Sequence, residues 1–293
     1  MMVFGMNAPS TKQATLLISC PDRGGIVADV AGFVHQRGCN ITRVDQSVDV
    51  EHELFRMRMA IESIRPEFEE PTFREDLREI ALKHGFEWTL HYANERSRLA
   101  ILCTRESHCL HDLLQRHESG ELDCDIPVVV SNHDTLRPIA EFFEIPFLHI
   151  PVEAGSKVEC ENRLRACLEE NRIDVVVLAR YMQVLTPGLV DEWPNRIINI
   201  HHSFLPAFAG ASPYRQAHER GVKLIGATAH YVTAELDAGP IITQDVIGCS
   251  HRDGIADLAR KGRDVERTTL SRAVRCHLER KLLVQGDRVV VFN

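Results

Sequence analysis

Hydrophobic and polar positions follow two different rhythms in the two parts of this chain. Ala14 to Ile18 is an apolar run that predicts a strand, and the turn residues Cys20-Pro21-Asp22-Arg23-Gly24-Gly25 close it. Beyond Gly25, Ile26, Val27, Val30, Ala31, Phe33 and Val34 recur at helical spacing, with Gly38 as the stop. Asn40 to Val50 and Leu54 to Ile61 then alternate with period two, which predicts paired strands turned at Glu51-His52-Glu53. An amphipathic helix over Phe73 to Lys83, ended by Gly85, and a strand over Phe86 to Tyr92 complete the segment. The order βαββαβ predicts an antiparallel, ferredoxin-like sheet with two helices on one face.

Asn94-Glu95-Arg96-Ser97 is short and polar, so a first domain over 13–93 and a second over 97–293 are expected. In the second, strands are predicted at Leu99 to Cys103, Pro127 to Ser131, Pro146 to Val152 and Ile173 to Ala179. Helices are predicted at His108 to His117, Leu136 to Phe143, Val158 to Asn171 and Pro187 to Trp193. Such alternation implies a mostly parallel sheet with right-handed crossovers. Ile173 to Ala179 is apolar throughout, as a strand covered on both faces requires. After Gly221, Lys223 to Val232 and Pro240 to Val246 read as paired strands, Asp257 to Arg280 as one long amphipathic helix, and Leu282 to Phe292 as a hairpin turned at Gly286-Asp287. Arg260, Lys261, Arg263, Arg267 and Arg272 fall where that helix would face solvent. The fold class is therefore α/β.

Composition narrows this picture. At 293 residues, 44% hydrophobic and 26% charged, the chain suits two globular domains, and its net charge of -8 speaks against a broad nucleic-acid or anionic-membrane surface. The nine cysteines include no C-x-x-C pair, so reduced thiols in a cytoplasmic protein are expected, with no metal centre. No apolar run reaches membrane-spanning length, and Met1 to Gln13 lacks the layout of a secretory signal and reads as a loose tail.

The candidate chemistry lies in Ile197-Ile198-Asn199-Ile200-His201-His202-Ser203-Phe204-Leu205-Pro206. An apolar, β-branched strand ends there in a polar tip, and Asn199 and His201, two apart, share one face of it. Asp237, just before Gly239-Pro240, reaches the same place only through tertiary folding. An amide, an imidazole and a carboxylate suit attack on a carbonyl: oxyanion stabilisation, proton transfer and orientation of a water. Other histidines weigh less. His108 and His111 share a helical face and are expected at the surface; His201 and His202 are expected to diverge as strand neighbours; His149 and His230 are expected in the core or behind the cleft.

Ile198-Asn199-Ile200-His201, Ser203-x-Leu205-Pro206, Gly210, Asp237-x-Gly239-Pro240-Ile241-Ile242 and the upstream run Val177 to Pro187 together resemble the formyltransferase family that uses 10-formyltetrahydrofolate. Within it, His202 after His201 and the run Ser203 to Phe208 resemble the hydrolytic, deformylase branch. The resemblance implies hydrolysis of 10-formyltetrahydrofolate to formate and tetrahydrofolate, with no cofactor and with Asn199, His201 and Asp237 as catalytic residues. It further implies that the pterin lies on Arg180, Tyr181, Met182, Val184 and Leu185, that Val232 and the loop to Asp237 close the other side, and that His202, Phe208 and Gly210 lie on the acceptor side. A formyltransferase acting on an amine, and a protein that only binds folate, are the alternatives. In Cys103-Thr104-Arg105-Glu106-Ser107-His108 there is no glycine, and Glu106 stands where a phosphate would sit, against a ribonucleotide acceptor. There is also no room for an RNA-binding barrel after Val274, and no basic surplus.

Pro21-Asp22-Arg23-x-Gly25-Ile26-Val27-Ala28 and Gly38-Cys39-Asn40-Ile41 resemble the ACT regulatory domain. That resemblance implies an amino-acid effector near Asp22, Gly25 and Asn40, where free N–H groups at a helix start attract a carboxylate, or association into a homo-oligomer without a ligand.

Overall fold

The computed structural model describes residues 12–64, 69–153, 155–206 and 213–293. The chain divides into two compact units, the first ending at Glu95 and the second running from Arg96 to Val291.

The first unit runs β1 (Gln13–Pro21), α1 (Ile26–Gln36), β2 (Cys39–Asp49), β3 (Leu54–Ser63), α2 (Glu70–His84) and β4 (Glu87–Tyr92). Its strands lie in the order β2-β3-β1-β4, all antiparallel. Leu16, Ile18, Met57 and Met59 point from the sheet toward Val30 and Phe33 of α1 and Phe73 and Leu77 of α2, a core apolar throughout. Gly85, at φ 68°, ends α2 in the left-handed conformation that a glycine adopts without a Cβ penalty.

The second unit contains β5 (Ser97–Cys103), α3 (His108–Glu118), β6 (Cys124–Ser131), α4 (Arg137–Phe142), β7 (Phe147–His149), α5 (Lys157–Glu170), β8 (Val175–Ala179), α6 (Pro187–Asp191) and β9 (Ile197–His201). It continues through α7 (Pro213–Arg220), β10 (Leu224–Tyr231), β11 (Ile241–Gly248), α8 (Ile255–Leu278), β12 (Leu282–Gln285) and β13 (Arg288–Val291). Seven strands form one sheet, in the order β11-β10-β9-β8-β5-β6-β7. β5 to β9 are parallel, whereas β10 runs antiparallel to β9 and β11 to β10.

β8 shows why its sequence is apolar without interruption. Val175, Val177 and Ala179 face the layer of α3 and α8, while Val176 and Leu178 face the layer of α5 and α6. The chain leaves central β5 toward β6 and β7 on one side and returns to β8 and β9 on the other. The carboxyl ends beside this reversal are where open α/β sheets hold ligands.

Two expectations change here. β7 is three residues long rather than running to Val152: Ile150 N–H still reaches Ser131 O at 2.9 Å, but Pro151 has no N–H to continue the ladder. α7 is an additional helix. Its sequence carries no apolar stripe, and among its described side chains Ala217 is the buried one.

Candidate active site

A cleft of about 460 Å³ opens at the carboxyl ends of β8 and β9. Asn199, His201 and Asp237 border it together with Arg180, Tyr181, Met182, Val184, Leu185 and Val232. The strand places Asn199 and His201 on one face. Asp237 arrives from the loop between β10 and β11, at φ 56°. That loop is drawn tight at its neck, where Tyr231 N–H donates to Pro240 O at 2.9 Å and Val232 N–H to Ile197 O at 2.9 Å. Gly239 passes so close to Tyr231 that a Cβ there would lie 1.8 Å from its carbonyl oxygen, so any side chain would force the loop open.

Asp237 Oδ2 lies 3.3 Å from His201 Nδ1. The hydrogen bond from His201 holds the Asp237 carboxyl below its ordinary value against the opposing effect of burial, and the charge of a protonated His201 adds to it. Asp237 is therefore ionised at neutral pH. The other ring nitrogen, His201 Nε2, is buried and has no hydrogen-bond partner among the described residues. A buried polar atom left unpaired is costly unless chemistry uses it.

His230 belongs to the site more directly than its sequence position suggests. β9 and β10 pair with Asn199 directly opposite His230. His230 Nδ1–H donates to Tyr231 O at 2.8 Å, which leaves a lone pair on Nε2, 3.2 Å from Asn199 Nδ2. Burial pushes the His230 pKa down, which keeps the ring neutral and in this tautomer. Asn199 thus donates one amide hydrogen to His230 and keeps its second for the cleft.

The wall from Arg180 to Leu185 is clamped by residues that sequence reasoning did not single out. Arg180, at φ 61°, turns the chain off the end of β8. Thr104 Oγ1 then accepts Met182 N–H at 2.9 Å, and Glu161 Oε1 of α5 accepts Thr186 N–H at 2.8 Å while its other oxygen takes the Thr186 hydroxyl. Met182 and Val184 stay about half exposed as apolar surface for a flat ring. Thr104 and Glu161 lie in other elements, so no local motif marks them.

The two neighbouring histidines do not diverge. β9 ends at His201, the backbone turns, and the His202 ring stacks on His201 at 5.3 Å between centroids, so both line the cleft. Nor is His108 a surface residue: its Nε2 lies 2.8 Å from Glu266 Oε2, deep beneath α8. Tyr214 of α7 donates its hydroxyl to Glu266 Oε1 at 2.5 Å, and Arg180 Nε sits 3.5 Å from Oε2. Burial would raise the Glu266 pKa, but His108, Arg180 and Tyr214 together hold it below the ordinary value. His108, Cys109 and Glu266 are also a trio whose donor atoms lie within 4.8 Å of one another. Since Tyr214, His108 and Arg180 already engage that carboxylate, the surroundings of Glu266 are a bonded network rather than a ready cation site. His149 stays apart, 4.0 Å from Asp134. Phe208 and Gly210 lie outside the described residues.

In the first unit, Asp22 and Gly25 flank the turn into α1 and Asn40 opens β2, all three exposed. Gly25 caps α1 at φ 88° without a side-chain hydrogen bond, and Asn40 Nδ2 donates to Glu62 Oε1 at 3.1 Å.

Comparison with known proteins agrees with this architecture. A formyl transferase family model matches residues 97–274, and an ACT domain model matches residues 14–81. The chain is 49% identical to a formyltetrahydrofolate deformylase of Synechocystis over 95% of its own length and 98% of the relative's. It is 45% identical to one of Bacillus subtilis over 95% and 93%. A crystal structure of a formyltetrahydrofolate deformylase from Pseudomonas syringae superposes with TM-score 0.94 at 47% identity, covering 96% of this chain and 95% of that one. A glycinamide ribonucleotide transformylase from Symbiobacterium toebii superposes with TM-score 0.66 at 32% identity, covering 70% of this chain and 98% of that one. An ACT domain followed by a formyl transferase domain, matched end to end by such relatives, makes this chain a member of the formyltetrahydrofolate deformylase family.

Proposed function

We propose that the protein hydrolyses 10-formyltetrahydrofolate to formate and tetrahydrofolate, with Asn199, His201 and Asp237 as the catalytic residues. The observation that carries the reading is the His201 ring, which lines the cleft beside Asn199 with Nδ1 held by the Asp237 carboxylate and Nε2 buried without a hydrogen-bond partner among the described residues. The folate ring lies between the Arg180 to Leu185 wall and the Val232 to Asp237 loop. Water attacks the formyl carbon; the free amide hydrogen of Asn199 and the His201 Nε2–H stabilise the oxyanion. His201 enters protonated on both ring nitrogens with Asp237 as its counter-charge, and gives the Nε2 proton to N10 as the carbon–nitrogen bond breaks. It regains a proton from the formic acid O–H, so that formate leaves as the anion and the proton lost by the attacking water goes to solvent. Each oxyanion donor contributes about 2.7–4 kcal/mol, roughly 100- to 1000-fold in rate.

Water, the substrate and these side chains suffice, so no cofactor is consumed and turnover withstands a metal chelator. Transfer to an amine acceptor is the reading set aside, since the relatives matched over nearly the whole chain are deformylases. The deciding assay is formate release from 10-formyltetrahydrofolate with no amine present. Release at a rate proportional to enzyme supports hydrolysis, and strict dependence on an added amine overturns it.

For the first unit we propose an amino-acid effector near Asp22, Gly25 and Asn40 and a homo-oligomer formed through the exposed strand β2. Edge position and the exposed apolar side chains Val44 and Val48 support the second part. Calorimetric titration with methionine or glycine tests the first, and light scattering tests the second. The described residues contain no helix long and apolar enough to cross a membrane. All nine cysteines are unpaired, which favours a reducing compartment such as the cytoplasm.

A further inference from the structure

His202 has no place in the mechanism above, yet its surroundings are built with care. Its ring lies against His201, at 5.3 Å and 28°, and Tyr214 approaches to 6.2 Å. The backbone just beyond it is pinned. Thr228 Oγ1 donates to Ser203 O at 2.9 Å and accepts Leu205 N–H at 3.0 Å, and Gln244 Nε2 donates to Leu205 O at 3.0 Å. On one side His202 lines the large cleft beside His201. On the other it lines a cavity of about 30 Å³ together with Tyr214 and Ile225, room for a water. A rigid imidazole therefore stands between the reacting centre and a space of solvent size.

Its electrostatic setting is equally definite. Arg180, Glu266, His201 and Asp237 are the charged or titratable groups that act on it, with Tyr214 beside it. Burial, and next the Arg180 charge, push its pKa down to about 4 against the opposing pull of Glu266 and Asp237. The ring is thus neutral at neutral pH, with one N–H to give and one lone pair to accept. Asp237, the other base in reach, is already committed to His201 and carries a charge that repels the developing oxyanion. A neutral base beside the formyl carbon has neither defect.

We infer that His202 is a further catalytic residue, which holds the attacking water and takes its proton as the water oxygen bonds to the formyl carbon. As that bond forms, the carbonyl π pair moves onto the formyl oxygen, where Asn199 and His201 receive it. When the tetrahedral intermediate collapses, the carbon–N10 pair goes to N10, which is protonated by His201. The product's O–H proton returns to His201, formate leaves as the anion, and the proton held by His202 passes to solvent. The assignment rests on the hydrolytic reading and deepens it: His202 is what makes water, rather than an amine, the productive nucleophile.

The test uses hydroxylamine as a competing nucleophile that needs little help from a base, with His202→Ala and His202→Gln measured beside the wild type. Formate release by His202→Ala falls about 100-fold, the contribution expected of a positioned general base, with KM for the folate little changed. Formohydroxamate falls far less, so its ratio to formate rises. His202→Gln, which keeps polar atoms and volume at the same place, shows the same rise in smaller measure and serves where the alanine variant fails to fold. Equal loss of both products in the variants, or wild-type formate release by either one, overturns the role of His202. Failure of the wild type to release formate without an amine sinks the hydrolytic reading itself, a separate outcome.

Discussion

The two units treat polar groups in opposite ways. In the first, charges meet near the surface, as Arg43 with Asp45 and Arg78 with Glu75 do, and even the buried Arg56 and Arg58 are matched by Asp49 and Asp45. In the second, Glu266 and His230 are each only 1% exposed. All the buried side-chain polar atoms without a hydrogen-bond partner among the described residues lie there, His201 Nε2, His108 Nδ1 and Arg180 Nε among them. Since unpaired buried polar atoms are costly, their concentration in one unit marks that unit as the one that performs the chemistry.

The strongest challenge to this contrast is removal of the catalytic side chains. Asn199→Ala, His201→Ala and Asp237→Ala are each expected to lower formate release roughly 100- to 1000-fold while circular dichroism stays native. Near-normal rates in all three would falsify the site assignment. Next in size is a stability effect of pH. His202 has a folded pKa of about 4 against an ordinary 6.5, so between those values the unfolded chain binds a proton that the native one refuses. Stability is therefore full above pH 6.5 and falls by about 3 kcal/mol toward pH 4, and denaturant titration of His202→Gln should show a shallower decline. A smaller effect comes from His230. Replacing it by Leu frees the Asn199 amide to rotate and is expected to reduce kcat about tenfold with KM kept, the value of one oriented hydrogen bond. His230→Gln, whose carbonyl accepts the same hydrogen, should recover part of that loss. At the far end, Arg43→Ala in the first unit removes an exposed ion pair and should shift stability by less than about 0.5 kcal/mol, with turnover unchanged.

The sequence conveyed the strands that bury both faces, such as β8, and the antiparallel pairs of the first unit, because period and apolarity are local properties. It also conveyed that Asn199 and His201 share a face, which follows from strand geometry alone. Non-local pairing was out of its reach. His230 enters the site only because β10 lies antiparallel against β9, a partnership no periodicity reports. Glu266 sits in a charged stretch of α8 beside Arg263, Asp264 and Arg267, and nothing local sets it apart from them. It is the member that turns inward, onto His108 and Tyr214. The stacking of His202 on His201 escaped the alternation rule because the strand stops between them.

One bare position on α8 governs more than its own turn of helix. A Cβ on Gly262 would fall 2.0 Å from the Tyr214 hydroxyl oxygen, so a single methyl group there would evict the phenol from its carboxylate. Glu266 would then lean on His108 and Arg180 alone, altering the electric field around His202 without any change in a residue that meets the substrate. The character of the reaction is thus written partly in the absence of an atom.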